Sequence, residues 1–241
     1  MIDVRGSLRH LATSAAGTYA AYLAHGLLHP RLLRASAGAE AAQSLAGDAL
    51  VANPHWCTTF ATTIHAPRER VWPWLVQIGY GRAGWYTWYP YDNGGVPSAD
   101  WIVPALQSLA VGDVIPDGPR AREGFGQWRV QALDRPRAMV LVSRRNPMTG
   151  REIAEGDSTS ERFIHCSWAF VLEETAPREC RLLVRVRARL ERFERAALLA
   201  HAAHLLFGVG DTVMERSLLE GVKVRAEREA ARETETGVPL S

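Results

Sequence analysis

Lysine is almost absent from this chain: of 28 basic residues only Lys223 is one, and the rest are arginine. That skew has the look of coding bias in a GC-rich genome, so arginine number by itself says little about any site. Against 26 acidic residues the formal charge is only +2, which leaves no concentrated basic face of the kind that nucleic-acid binding needs. Cysteine is scarce too. Cys57, Cys166 and Cys180 stand far apart with no C-x-x-C pair, which excludes a disulfide framework and a zinc ribbon and suits a reducing cytoplasm. There is no P-loop, no G-x-S-x-G and no dinucleotide glycine pattern, so neither a nucleotide nor another cofactor is expected.

Long apolar runs are missing as well. Residues 11–29 carry no charge if histidine is neutral, yet Ala, Gly, Thr and Ser dominate them where a spanning helix needs Leu, Ile, Val and Phe. Asp3 and the want of a basic start argue against a signal peptide. Leu8, Leu11, Ala15, Tyr19, Tyr22 and Gly26 recur at helical steps, so this stretch reads as an amphipathic helix packed on the main domain. Membrane contact through residues 8–33 is the alternative and is not favoured.

What the sequence does contain is an ordinary globular composition, 47% hydrophobic, that excludes wholesale disorder. Thr58–His65 is β-branched and bounded by Pro54 and Pro67, a strand. Pro67 then opens a helix whose apolar face is Val71, Trp72, Leu75, Val76 and Ile78, and Pro73 lies early enough in it to be tolerated. A glycine- and aromatic-rich loop follows over Gly79–Gly95, then a short helix over Asp100–Leu109 capped by Asp100. A turn at Val111–Asp113 leads into a strand ending near Pro116. Two hairpins come next: Phe125–Leu133 with Ala138–Ser143, and Arg162–Leu172 with Cys180–Leu190 across a polar Glu173–Glu179 link. An exposed charged loop, Arg144–Glu161, separates them. The last strand alternates Leu182, Val184, Val186, Ala188 and Leu190 against Arg181, Arg185, Arg187 and Arg189, with the arginines read as a solvated face. Helices over Phe193–Phe207 and Thr212–Ala230, separated by Gly208 and Gly210, close the chain. The expected domains are an N-terminal helical extension and linker (1–46), one main domain (47–230) and a flexible tail (231–241).

Strands in runs with helices at the ends mean α+β. The strings APRERVWPWLVQIG (66–79), GRAGWYTW (81–88), SADWIVPALQSLAVGD (98–113), SWAFVL (167–172) and MERSLLEGVKVRAE (214–227) resemble the SRPBCC superfamily, the START-like or helix-grip proteins. The resemblance covers roughly residues 47–229. It implies a helix-grip fold: a curved antiparallel β-sheet wrapped around a long C-terminal helix with an internal cavity, here with an extra N-terminal helix. It also implies a hydrophobic, polyketide- or lipid-like small-molecule ligand. The superfamily includes polyketide cyclases and lipid carriers, so a cofactor-independent cyclase or dehydratase is the alternative, and a membrane-associated lipid carrier a second one.

Eight tryptophans are present, half of them between Trp72 and Trp88, and a cavity wall wants large rigid aromatics with a polar handle. Trp85, Trp88, Tyr91, Trp101, Trp128 and Trp168 are therefore the candidate ligand-binding aromatics, with Met214 and Leu218 from the closing helix. Asp92 in Asp-Asn-Gly-Gly reads two ways, as a turn residue bonding its own backbone or as a carboxyl poised for proton transfer. His165 lies mid-strand with both faces apolar, so which face lines the cavity stays open; facing inward it is a general base. If the protein is an enzyme, Asp92 or His165 is its catalytic acid–base group and Tyr86 orients a carbonyl. His201 and His204 form H-x-x-H but lack a third ligand at helical spacing, so no metal is expected. The doubly apolar Arg162–Leu172 strand needs a cover on its second face, for which the Leu8–Leu28 helix is the candidate.

Overall fold

The computed structural model describes residues 38–157, 162–193 and 196–236, together with Ala20 and Ala24. The expected Leu8–Leu28 helix and nearly all of the 8–33 segment lie outside these. The order is β1 (Trp56–Ile64), α1 (Arg68–Val76), a single-turn α2 (Tyr89–Asp92), β2 (Val114–Pro116), β3 (Gln127–Asp134), β4 (Ala138–Arg145), β5 (Phe163–Ala176), β6 (Glu179–Glu191) and α3 (Ala196–Thr236). The strands form one antiparallel sheet in the order β1-β6-β5-β4-β3-β2. Strands from β2 to β6 meander, while β1 returns to the free edge of β6. The curved sheet closes on the long helix, which is the α+β helix-grip arrangement.

Alternation decides the two faces. Across β1, β6, β5 and β4 the ladder Phe60–Val184–Phe170–Met139 points inward, and Thr58–Val186–Trp168–Leu141 runs beside it. On α3, Leu218, Leu219, Val222 and Ala226 follow helical spacing and are wholly buried against β1 and α1. The inner face of β5 is therefore Ile164, Cys166, Trp168 and Phe170, a choice that its two-sided apolarity leaves open.

Four local expectations are corrected. Gly208 and Gly210 do not divide the closing helix, since α3 runs unbroken; glycine lowers helix propensity by about 1 kcal/mol but leaves the backbone hydrogen bonds intact. No helix spans 100–109. Pro104 holds Val103 extended (φ −93°, ψ 107°), so only a 3-10 turn, Pro104–Leu106, forms, and Asp100 caps nothing. Asp100 instead pairs with Arg225 (3.0 Å) and Arg228 (3.3 Å) on α3. The link expected over Glu173–Glu179 is taken up by the strands, leaving only residues 177–178 to turn.

The fourth correction concerns the arginine stripe, whose centre is not solvated. Residues 38–53 lie over it with two 3-10 turns, Gly38–Ala42 and Asp48–Val51. Arg185, 2% exposed, donates to the carbonyls of Gln43, Ala41 and Glu40, to Thr59 Oγ1, and to Asp48 Oδ2 at 2.7 Å. Arg181 pairs with Glu40, Arg187 donates to the Val51 carbonyl, and Leu45 packs on Ala61 and Leu183. A guanidinium has five donors in a rigid fork, which suits it to gathering several carbonyls of an irregular segment.

Candidate ligand-binding site

Between the inner face and the Asp211–Glu215 turn of α3 lies a cavity in two compartments. The inner one, about 270 Å³, is walled by Trp56, Trp128 and Trp168 with Ile164, Val186 and Ala188. The outer one, about 450 Å³, is walled by Tyr80, Trp85, Asp92 and Gly94 from the aromatic loop and by residues 117–119. Asp117, Trp168 and Met214 belong to both, so they form the common wall. Trp168 is the centre of an aromatic cluster: Trp85 stacks on it at 5.3 Å, and Trp128 and Phe170 lie tilted at 5.2 and 4.9 Å.

The cavity also has charge. Arg145, at the end of β4, reaches back over the Trp128 ring (5.1 Å) and pairs with Asp117 Oδ2 at 2.5 Å. Burial works against its charge, but Asp117, with Cys166 and Glu152 nearby, outweighs that and holds its pKa above the ordinary value. On α3, Glu215 is 1% exposed and accepts from Trp168 Nε1 at 3.3 Å. Burial, reinforced by Asp211 one turn away, raises its carboxyl well above the usual range and so favours its neutral form. Burial pushes the Cys166 thiol up to about 12, which makes it inert.

The expected site residues divide sharply. Trp85, Trp128, Trp168, Met214 and Asp92 are brought together. Asp92 is not the turn-making residue, because Asn93 does that by donating from Nδ2 to the Val96 carbonyl. The Asp92 carboxyl is raised to about 6 by burial and by Asp117, partly offset by a hydrogen bond from Thr87, and its Oδ2 is buried without a partner. Tyr86 is not in the wall. Its hydroxyl accepts from Gln77 Nε2 (2.8 Å) and donates to the Trp74 carbonyl (3.0 Å), and burial raises its pKa, so no hydroxyl is left for a ligand carbonyl. His165 stands on the outer face, since alternation from Cys166 and Trp168 turns it away from the cavity, and burial together with Arg144 lowers its pKa. Leu218 is core beneath the cavity rather than its wall, and Trp88 is half-buried outside both compartments. Trp101, 65% exposed, lines a separate surface groove with Arg70, Arg225 and Arg228. The Tyr91 side chain, and those of His201 and His204, lie outside the described residues.

Arg145, Asp117 and Glu215 escape the sequence reading, although signals for two of them are present. Counting by twos from Met139 through Leu141 and Ser143 puts Arg145 on the inner face, and the strand simply runs two residues further than the loop reading allows. Counting by threes and fours back from Ala226 through Val222 and Leu218 puts Glu215 on the buried stripe. Among the described residues no three His, Cys, Asp or Glu side chains are placed to hold a metal, and no helix is long and apolar enough to cross a membrane.

No family model and no curated protein matches the chain. Several solved structures are similar to it. One is a hypothetical protein from Helicobacter pylori (12% identity, TM-score 0.43, covering 77% of this chain and 96% of that one). Another is the Zhui aromatase/cyclase from Streptomyces sp. R1128 (10% identity, TM-score 0.33, covering 73% and 95%). A third is CalU16 from Micromonospora echinospora (12% identity, TM-score 0.31, covering 73% and 86%).

Proposed function

We propose that this helix-grip chain binds an apolar, ring-containing small molecule, polyketide- or lipid-like, in the two-compartment cavity, with no nucleotide or metal taking part. The observation that carries the reading is the wall around Trp168: four tryptophans and Met214 enclose a volume of small-ligand size, and only a few polar groups interrupt them. Packing flat rings against such a wall buries apolar area on both partners, at about 25 cal/mol per Å². The three cysteines are free, in keeping with a reducing cytoplasm.

A second reading, a cofactor-independent cyclase or dehydratase, is supported by Asp92: a half-buried carboxyl whose buried Oδ2 has no partner, with a pKa of about 6, is suited to moving a proton near neutral pH. Membrane-associated lipid carriage would rest on residues 8–33, nearly all of which lie outside the described residues.

Titration with the neutral fluorophore N-phenyl-1-naphthylamine tests the binding reading. Met214 belongs to the wall common to both compartments, so Met214→Trp fills the space between them, and probe affinity is expected to fall at least tenfold, about 1.4 kcal/mol. A wild-type protein with no saturable binding, or a Met214→Trp variant with undiminished affinity, overturns it.

A further inference from the structure

The inner compartment contains an acid whose proton has no acceptor. Glu215 lies among Trp168, Met214 and the apolar stripe of α3, and the one hydrogen bond it makes is as acceptor from Trp168 Nε1. Among the described residues no cation pairs with it, and the charge that acts on its carboxyl, Asp211 one turn back on the helix, has the same sign. Arg145, the one guanidinium among the described residues of this compartment, is engaged by Asp117. An ionised carboxylate in such a place costs several kcal/mol, whereas the neutral acid carries an O–H that must find an acceptor or forfeit a hydrogen bond. A second donor in the same wall is in the same position: Trp128 Nε1 is buried with no acceptor. Two donors without acceptors around an otherwise apolar space mark what the protein leaves for its ligand to supply.

Resting on the cavity reading above, we infer that Glu215 is a ligand-recognition residue, donating its carboxyl proton as a hydrogen bond to a carbonyl or phenol oxygen at the inner end of a flat, otherwise apolar ligand. The ligand class is thus aryl ketones, quinones and phenols, rather than hydrocarbons, fatty carboxylates or amines. A fatty carboxylate would bring a charge into an apolar space beside Asp211, and a protonated amine would offer donors and no acceptor.

The experiment compares two near-isosteric probes, 2-acetylnaphthalene and 2-ethylnaphthalene, by quenching of protein tryptophan fluorescence. Wild type is expected to bind the ketone about five- to tenfold more tightly, although the hydrocarbon is the more apolar. Glu215→Gln keeps an N–H donor and should retain a preference. Glu215→Met, similar in volume and without a donor, should bind both probes equally. Equal binding of the two by wild type overturns the inference and leaves the cavity reading standing. A ketone preference that survives in Glu215→Met overturns it as well, moving the donor to Trp128. Absence of saturable binding by either probe removes the cavity reading and this inference together. Should Glu215→Met fail to fold, the wild-type comparison still decides.

Discussion

Asp92 shows how little a side chain's identity settles without its surroundings. In sequence it sits in strong turn chemistry; in the fold, Asn93 takes the turn and Asp92 is left in a wall with Asp117 and the aromatic loop. Its folded pKa, about 6, lies above the ordinary aspartate value of about 3.9, so the folded state holds the proton more tightly. The contribution to stability is therefore full below about pH 4 and is lost as pH rises through about 6. Asp92→Asn removes that dependence. Calorimetry should find the variant's melting temperature above wild type at pH 7.5, with the advantage gone at pH 3.5. Curves that stay parallel across this range count against a buried, proton-holding Asp92.

At the scale of elements, what places the aromatic loop is a glycine on α3. A Cβ at Gly221 would collide with the carbonyl oxygen and Cβ of Tyr86. Tyr86 itself is left-handed (φ 61°), a conformation that costs a non-glycine residue of order 1 kcal/mol and persists because its hydroxyl and ring are fixed. Arg225, one turn further along α3, covers that ring at 4.6 Å. Gly221→Ala raises helix propensity by about 1 kcal/mol, yet it must push back the backbone that Trp85 and Asp92 flank. The expected outcome is a net loss of stability together with weakened probe binding. A stabilised variant with unchanged affinity would mean that the loop is not held by this contact. Much at this scale was legible. The strand near Thr58–Ile64, helix α1 with its tolerated Pro73, and the hairpins all follow from β-branching, proline placement and alternation. What failed did so where one residue type competed with its neighbours, as at Pro104 and at the two glycines of α3.

For the molecule as a whole, the outer sheet face matters as much as the cavity. Its cover among the described residues is the irregular 38–53 segment, gathered by Arg185 through Asp48 and three carbonyls. Losing a buried guanidinium so placed leaves several carbonyls unpaired and Asp48 with only the longer Arg187 contact and the Leu45 N–H, a cost of about 3–5 kcal/mol. At about 2–4 °C per kcal/mol for a domain of this size, Arg185→Ala should lower the melting temperature by roughly 10 °C. Arg189→Ala removes a half-exposed ion pair with Glu191 and two exposed 3.3 Å hydrogen bonds to the Ala52 and Asn53 carbonyls, and should shift it far less. Equal shifts for the two would show that the segment is not latched through Arg185.

Composition, periodicity and turn chemistry thus determined the class of fold, the register of faces in the last strand and the aromatic character of the site, because those depend on near neighbours along the chain. Only the tertiary structure decided the rest. Which face of β5 looks inward is set by the long helix that covers it, not by β5's own doubly apolar sequence. Arg145, Asp117 and Glu215 meet only because β4, the segment after β2 and α3 converge from positions far apart in the chain. A charged residue becomes a site residue when a fold denies it water, and that denial is supplied by partners that its own stretch of sequence does not name.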